Sequence, residues 1–278
     1  MKSGRPWRVL WLSLRDLVVP GTGGFFIPYR LVGTTRHLPY YPELEARLGE
    51  AHPQFSEVLD TIDAFAAEFE EFRGPAPVPR FDQDWFPRLD AAAAYAFVRK
   101  HRPRRTVEIG SGHSTRFLSR ALSDNSSGEL ICFDPSPRAD IRSLSNVRHH
   151  ARVFRESDLA LLAMLDAGDI LFVDSSHIAL PGTDVDLIVN RGLSRLRPGV
   201  LVHFHDIFLP DDYPVGWSWR GYNEQLLVGP ILSGRTYDCL FASHYVVTRM
   251  RERLSRCRVM SLPLPDGAFE ASLWLRKR

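Results

Sequence analysis

VEIGSGHSTRFL, residues 107–118, joins a short apolar run to a turn with two glycines and then to a helical pattern. Gly110 and Gly112 let the backbone turn sharply and approach a ligand closely. A dinucleotide-binding loop would have a third glycine where this chain has Thr115. Glu108 stands where dinucleotide enzymes usually carry an apolar residue, and its carboxylate suits a ligand with a positive group such as an ammonium. The segment therefore predicts a strand, a turn and a helix that bind a cationic ligand.

The chain beyond this segment continues to alternate between strand and helix patterns. From residue 104 onward, short apolar runs are separated by helical stretches, which indicates a mostly parallel sheet with helices on both faces. We therefore predict an α/β fold with a doubly wound sheet. The predicted strands are 106–109, 130–133, 147–153, 170–173 and 200–204, with two late strands near 237–248 and 267–276; the predicted helices lie near 88–101, 114–123, 156–166, 183–196 and 221–233.

The first eighty residues have a different pattern. Residues 43–73 place apolar side chains at helical spacing, and prolines and a glycine over 74–79 indicate a linker. The apolar stripe over 55–69 needs a partner surface, either within the chain or across a dimer. We therefore divide the chain into a helical N-terminal extension, residues 1–80, and a main domain, residues 81–278. The extension is predicted to act as a lid or as a dimer surface, so a homodimer is one expected assembly.

Composition and charge exclude several classes of protein. Hydrophobic residues make up 44% and charged residues 24% of the 278 residues, which is ordinary for a globular chain and rules out wholesale disorder. The formal net charge of +2 provides no global field that would attract nucleic acid, and no such partner is expected. Cys132, Cys239 and Cys257 cannot pair completely and lack the spacing of a zinc site. A reducing compartment fits this cysteine usage best.

The N-terminal segment is too interrupted to be a signal peptide or a membrane-spanning helix. The apolar run at 9–14 is broken by Arg15 and Asp16, whereas a spanning helix needs about 20 apolar residues. A short helix packed on the main domain is the favoured interpretation, and an interfacial helix with Trp7 and Trp11 at a membrane surface is the alternative. We expect a cytoplasmic protein without a spanning segment.

Acidic residues stand at or near the carboxyl ends of four predicted strands. They are Glu108, Asp134, Asp174 and Asp206. Ligands of open parallel sheets bind beyond these strand ends, and a buried carboxylate without a partner is costly. Asp134 follows the second strand, where it could accept hydrogen bonds from two ribose hydroxyls. A cationic amino acid joined to a ribose describes S-adenosylmethionine.

These segments resemble the class I S-adenosylmethionine-dependent methyltransferases. The resemblance is carried by residues 107–118, by Asp134 and by FVDSSH at 172–177. HFHDIFLPDDYP at 203–214 and YNEQ at 222–225 are similar to a bacterial subgroup of that family. The resemblance covers about residues 85–278. It implies a Rossmann-like sheet of seven strands whose last strand is antiparallel.

The resemblance also implies where the cofactor would bind. The methionine part would be surrounded by the glycine turn, the ribose would be held by Asp134, and residues 156–158 would lie near the adenine. The cofactor-binding residues expected on this basis are Glu108, Gly110, Ser111, Gly112, His113, Ser114, Asp134 and Asp174.

Three histidines lie near the strand ends that are expected to face the cofactor. Methyl transfer to a hydroxyl requires that the hydroxyl lose its proton, and a positioned histidine often takes it. His177 and His205 are the candidate general bases, with Asp206 as the third catalytic residue; each histidine could instead only shape the pocket. His203 lies deeper in its strand and is expected to be structural. Paired histidines and aspartates favour O-methylation of a small-molecule acceptor.

Aromatic residues follow the fifth predicted strand. Trp217, Trp219 and Tyr222 lie in or just after the loop beyond that strand. They could close over the acceptor, or they could simply pack within the loop. Both interpretations stay open on the sequence alone.

Three alternatives compete with this prediction. A divalent metal held by Asp174 and Asp206 is not favoured, because Ile207 replaces the asparagine that catechol-type methyltransferases have beside the second acid. Histidine ligands would favour zinc or iron. An NAD-dependent oxidoreductase is disfavoured by Glu108 and by the missing third glycine. A scaffold that binds S-adenosylmethionine without catalysis is the remaining alternative.

Overall fold

The computed structural model describes residues 5–18, 34 and 38–278. The strands within these residues are β1 Arg105–Ile109, β2 Glu129–Phe133, β3 Val147–His150, β4 Ile170–Val173, β5 Leu201–Phe204, β6 Tyr237–Ala242 and β7 Leu273–Lys277. The α-helices are α1 Arg5–Val18, α2 Pro42–Gly49, α3 His52–Ala64, α4 Ala66–Phe69, α5 Arg88–His101, α6 His113–Asp124, α7 Leu159–Leu162, α8 Asp184–Leu187, α9 Gln225–Ser233, α10 Ser243–Arg249 and α11 Arg251–Ser255.

The seven strands form one sheet in the order β3-β2-β1-β4-β5-β7-β6. The first five are parallel to their neighbours, and β7 runs antiparallel to both β5 and β6. The chain reverses its direction of winding between β1 and β4, so a crevice opens beyond their carboxyl ends. The predicted fold, a doubly wound and mostly parallel Rossmann-like sheet of seven strands, is confirmed.

The parallel strands at the centre of the sheet match the apolar runs closely. β4 and β5 are buried along their whole length. A parallel strand covered on both faces reads as a continuous apolar run, which is why its bounds can be predicted to within about a residue. β3 is only partly buried and ends at His150, three residues before the predicted end at 153.

The elements after β5 differ more from the prediction. The strand predicted over 237–248 ends at Ala242, and α10 begins at Ser243. The last predicted strand, 267–276, is a loop until β7 begins at Leu273. Both errors have one cause, because a short apolar run does not distinguish a strand from a buried helix or an extended loop.

Two predicted helices on the sheet faces are divided into shorter pieces. The stretch 156–166 contains a 3₁₀ turn and the four-residue α7. The stretch 183–196 contains α8, a π-helical turn and a 3₁₀ turn. Gly192 lies in the second stretch against α7, where a Cβ would come within 2.8 Å of Leu162. The π-helical turn and α7 are therefore packed closely against each other, and an irregular helical backbone is consistent with such close packing.

The predicted apolar stripe finds its partner within the chain. Residues 42–69 form three helices, α2, α3 and α4, whose buried side chains belong to the same hydrophobic core as the sheet. On α3, the Phe55 ring lies 6.0 Å from the Phe241 ring and 5.9 Å from the Tyr245 ring, centroid to centroid. The part of the predicted extension from residue 42 onward is thus packed into the main domain. The roles as lid or dimer surface stay predictions.

The N-terminal helix α1 presents apolar side chains to solvent. Trp7, Leu10, Trp11 and Leu14 are all exposed in the part of the chain that the structure describes. The same helix contacts the 3₁₀ turn at Val215–Arg220, which is consistent with the expected packing of a short helix on the main domain. The remainder of the predicted extension before residue 38, except Thr34, lies outside the described residues. Among the described helices, each is too short or too polar to cross a membrane.

We predict that Phe55→Ala lowers the stability of the whole domain. Phe55 is fully buried, and truncating a buried phenylalanine typically costs about 3–5 kcal/mol. Urea unfolding followed by tryptophan fluorescence should show one transition at a lower midpoint. Leu226→Ala is the control, because Leu226 is 57% exposed and its truncation should change stability by less than about 0.5 kcal/mol. An unchanged main transition in Phe55→Ala would show that α3 is an independent appendage.

Candidate active site

A cavity of about 280 Å³ lies at the carboxyl ends of the central strands. Its walls come from the turn after β1 and the segments after β2, β4 and β5. Each predicted cofactor-binding or catalytic residue except Glu108 lines it. These residues are Gly110, Ser111, Gly112, His113, Ser114, Asp134, Asp174, His177, His205 and Asp206. The sequence therefore predicted the residues that converge on one site.

The turn after β1 has room only for a glycine at its first position. Gly110 has a φ of +80°, a conformation that L side chains rarely adopt. A Cβ on Gly110 would lie 1.8 Å from the carbonyl oxygen of Asp174. The Gly110 N–H donates to the Phe133 carbonyl at 2.9 Å. The end of β1 is thus packed directly against the backbone that follows β4 and β2.

Asp134 is held at the cavity by backbone donors. One carboxylate oxygen accepts a hydrogen bond from Ser111 N at 2.7 Å, and the other accepts one from Ser136 N at 2.6 Å. These bonds fix the carboxylate without using all of its lone pairs, since a carboxylate accepts about four hydrogen bonds. The expected contact of Asp134 with ribose hydroxyls stays a prediction.

Glu108 lies beneath the turn and does not line the cavity. It is fully buried, and its carboxylate accepts from the Ser114 hydroxyl at 2.7 Å, the Thr115 hydroxyl at 2.7 Å and the Cys132 thiol at 3.0 Å. A direct contact with an ammonium is not available in this geometry, and a contact through water stays a prediction. Thr115 also accepts from Gly112 N at 2.9 Å. The threonine at the third-glycine position thus ties the turn, the first turn of α6 and Glu108 together.

His113, the first residue of α6, lines the cavity in its neutral form. Burial, followed by the nearby Arg116, lowers its pKa to about 4. Its Nδ1 atom has no hydrogen-bond partner in the described part of the chain. An unpartnered ring nitrogen at the wall of a cavity can bond to a ligand, which agrees with the cofactor-binding role predicted for His113.

Two histidines and two aspartates meet at the other end of the cavity. His177 Nε2 lies 3.3 Å from Asp174 Oδ1 and 3.5 Å from Asp206 Oδ2. His205 Nδ1 lies 3.3 Å from Asp174 Oδ1 and 3.5 Å from Asp206 Oδ1. His177 and Asp206 have φ values of 58° and 55°, which non-glycine residues adopt at an energetic cost. We call these four residues the acceptor-side cluster.

The other ring nitrogen of each histidine contacts a further carboxylate, which is buried. Glu224 Oε2 lies 2.9 Å from His177 Nδ1, and Asp90 Oδ2 lies 3.2 Å from His205 Nε2. Glu224 and Asp90 are both fully buried. The sequence analysis assigned neither carboxylate to the site. The charged Asp90 within the alanine-rich LDAAAAYAF of α5 was the one available signal, since a carboxylate on a buried helix face requires partners.

These contacts determine the proton affinity of the cluster. Burial alone would lower the pKa of both histidines, but hydrogen bonds and charges of the surrounding carboxylates outweigh it and raise the pKa of His177 and His205 well above the ordinary value. Burial likewise opposes ionisation of Asp174, but the two histidines outweigh it and lower the pKa of its carboxyl. Both histidines therefore hold a proton more tightly than a free imidazole does, and their role as general base stays a prediction.

The residues expected near an adenine do not line the cavity. Asp158 is paired with Arg152 at 2.6 Å, and Glu156 is paired with Arg191. Ser157 between them is exposed. Val153 and Phe154, just before this stretch, line the cavity instead. An adenine contact with residues 156–158 therefore stays a prediction, and Val153 and Phe154 are the neighbouring residues at the cavity wall.

His203 lies in the buried core, whereas Tyr222 lies at the cavity wall. His203 is stacked on Phe172 with ring centroids 3.7 Å apart, and its Nε2 lies 2.9 Å from the Ser272 hydroxyl. Its expected structural role agrees with this burial. Tyr222 lines the cavity together with Arg220, whose guanidinium lies 4.1 Å from the centre of the Trp217 ring. The aromatic loop after β5 therefore contributes to the cavity wall through Tyr222 and supports Arg220.

Comparisons with known proteins agree with this architecture. Residues 107–207 match a family model described as a methyltransferase domain. The matched region contains the glycine turn, Asp134 and the acceptor-side cluster. No curated protein sequence matched the chain. The chain is therefore similar to a methyltransferase domain over residues 107–207, and the observed strand order agrees with that similarity.

Solved methyltransferase structures are similar to the chain at low identity. The methyltransferase PaMTH1 of Podospora anserina with bound SAH is 18% identical, with a TM-score of 0.42 over 88% of this chain and 99% of that one. The O-methyltransferase TomG of Streptomyces achromogenes with bound SAM is 17% identical, with a TM-score of 0.38 over 80% and 89%. A methyltransferase of Geobacter sulfurreducens is 15% identical, with a TM-score of 0.39 over 87% and 99%. These values are too low to assign a residue role to this chain.

We predict that Glu108 makes stability fall between pH 5 and pH 8. Burial raises the pKa of Glu108 to about 7, so the folded chain binds a proton that the unfolded chain has already released above its ordinary pKa. A raised acid pKa lowers the free energy of unfolding as pH rises, by about 3 kcal/mol for a shift of this size. Glu108→Gln should flatten this pH dependence in urea titrations.

The control for this prediction is Glu57→Gln, because Glu57 lies on the exposed side of α3. Its stability should vary with pH as that of the wild type does. An equally steep loss of stability in Glu108→Gln would contradict the assignment to Glu108.

Proposed function

We propose that the protein transfers a methyl group from S-adenosylmethionine to a hydroxyl oxygen of a small-molecule acceptor. The observation that carries this proposal is the shared cavity. It joins the glycine turn and Asp134 on one side to the acceptor-side cluster on the other. Methyl transfer needs both halves, since donor and acceptor must be held in line within one space.

The cofactor half of the cavity has the donor and acceptor groups that S-adenosylmethionine requires. Asp134 has free lone pairs for ribose hydroxyls, and Phe133, Val153 and Phe154 provide an apolar edge for a flat base. The bound cofactor supplies a methyl group on a positively charged sulfur. Asp174 places a carboxylate in the wall where a positive group is favoured. The carboxylates of Asp134 and Asp174 would repel the pyrophosphate of NAD. This repulsion disfavours the alternative that the protein is an NAD-dependent oxidoreductase.

The acceptor half suits a polar hydroxylated molecule. Asp206 and His177 lie beside Tyr222 and Arg220 in the wall, so hydrogen-bond donors and acceptors surround the space next to Asp174. The acceptor hydroxyl would lose its proton to this cluster as the bond to carbon forms. Arg220 is stacked on Trp217, which positions its guanidinium to hold an oxygen-rich acceptor.

We predict that calorimetry detects S-adenosylmethionine and S-adenosylhomocysteine binding but no heat with NAD. Asp134→Ala should weaken cofactor binding by about 1–3 kcal/mol, or roughly 5- to 150-fold, since it removes charged hydrogen-bond acceptors. Asp140→Ala is the matched control, because Asp140 is an exposed acid in the same segment and does not line the cavity. Its affinity should equal that of the wild type.

Two results would contradict the proposal. Tight binding of NAD without binding of S-adenosylmethionine would favour the oxidoreductase. A panel of hydroxylated acceptors, tested with cofactor labelled in the methyl group, distinguishes an enzyme from a scaffold. Cofactor binding with no label transferred to any acceptor would favour the scaffold.

A further inference from the structure

We propose that Asp174, His177 and Asp206 bind a divalent transition-metal ion at the acceptor end of the cavity. The inference rests on the proposed function only in taking this cavity as the site of methyl transfer. The ligands would be one carboxylate oxygen from each aspartate and Nε2 of His177. These three atoms all lie within 4.8 Å of one another.

The spacing of the three atoms fits one ion. His177 Nε2 lies 3.3 Å from Asp174 Oδ1 and 3.5 Å from Asp206 Oδ2. A tetrahedral ion with bonds of about 2.1 Å separates its ligand atoms by about 3.4 Å. The fourth position would face the cavity, because all three residues line it. An acceptor hydroxyl could occupy that position.

Glu224 prepares His177 for this role. The carboxylate lies 2.9 Å from His177 Nδ1 and holds the proton on that nitrogen, so Nε2, which faces the aspartates, is the nitrogen that would give up its proton to bind an ion. The backbone reinforces the orientation, because Asn223 N and Glu224 N both donate to the His177 carbonyl, at 3.1 and 3.3 Å. Metal-bound histidines are commonly held through the other ring nitrogen by a carboxylate in this way.

The charge of the surroundings also favours a cation. Four carboxylates, from Asp90, Asp174, Asp206 and Glu224, contact only two imidazoles within this group. Glu224 is fully buried, and its Oε1 has no hydrogen-bond partner among the residues that the structure describes. Burying uncompensated negative charge is costly, and a bound divalent cation would compensate it.

The ligand set differs from a magnesium site. The buried Ile207 cannot supply the oxygen that the asparagine of catechol-type methyltransferases would provide, and His177 adds a nitrogen ligand. Magnesium prefers six oxygen ligands, whereas imidazole suits zinc, iron and related ions. Such an ion would lower the pKa of a bound hydroxyl. His177 would then serve as a ligand rather than as the general base.

The test uses the full chain, treated with a chelator and titrated with Mn²⁺, Co²⁺, Zn²⁺ or Mg²⁺ in a calorimeter. We expect one Co²⁺ or Zn²⁺ per chain and at least tenfold weaker binding of Mg²⁺. Asp206→Asn and His177→Gln should weaken Co²⁺ binding at least 100-fold. His244→Gln is the matched control, since His244 pairs with Asp211 at 2.8 Å outside the cavity and its loss should not change binding.

Two further measurements keep the outcomes separate. The visible absorption of Co²⁺ bound to the wild type reports nitrogen ligation and low coordination number, so it tests the inference even if a variant fails to fold. Asp134→Ala should bind Co²⁺ normally while losing affinity for S-adenosylmethionine.

A wild type that binds S-adenosylmethionine but no transition metal would overturn this inference and leave the proposed function intact. A wild type that binds Co²⁺ but no S-adenosylmethionine would overturn the proposed function. Mg²⁺ binding as tight as Co²⁺ binding, or Co²⁺ affinity unchanged in both ligand variants, would also overturn the inference.

Discussion

The site depends on the close approach of Gly110 to the backbone of Asp174. A Cβ at Gly110 would lie 1.8 Å from the Asp174 carbonyl oxygen, so any other residue would force the end of β1 away from the segment after β4. This approach occurs at the point where the sheet changes its direction of winding, between two adjacent strands. It brings the glycine turn and the acceptor-side cluster into one cavity.

Burial of charge explains much of the arrangement around that contact. Glu108 is enclosed by two hydroxyls and a thiol under the turn, and two of these donors belong to the first turn of α6. Asp90 and Glu224 are enclosed as well, each against a histidine that lines the cavity. Buried carboxylates need such partners, and here two of the partners are the histidines at the cavity wall. The negative surplus that remains on the acceptor side is the physical basis for expecting a cation there.

The sequence predicted those parts of the molecule that depend on local pattern. Continuous apolar runs located the buried parallel strands, and glycines and strand-end acids located the cavity, because strands of one parallel sheet present their carboxyl ends to the same crevice. Side chains that reach the site from distant segments were missed. Asp90 lies 115 residues from His205, and Glu224 lies 47 residues from His177, so no local spacing could reveal either pair. The sequence pattern could not predict the direction of the Glu108 side chain either, because that direction depends on how α6 packs against the turn.

The most direct test of the account is a crystal structure of the full chain with S-adenosylhomocysteine. The account predicts that the ribose hydroxyls lie within hydrogen-bond distance of Asp134 and that the sulfur faces the space between Asp174 and His177. The account also predicts that the adenine ring packs against Val153 and Phe154. A ligand bound outside this cavity, or one with its ribose away from Asp134, would contradict the central claim that one cavity holds both donor and acceptor.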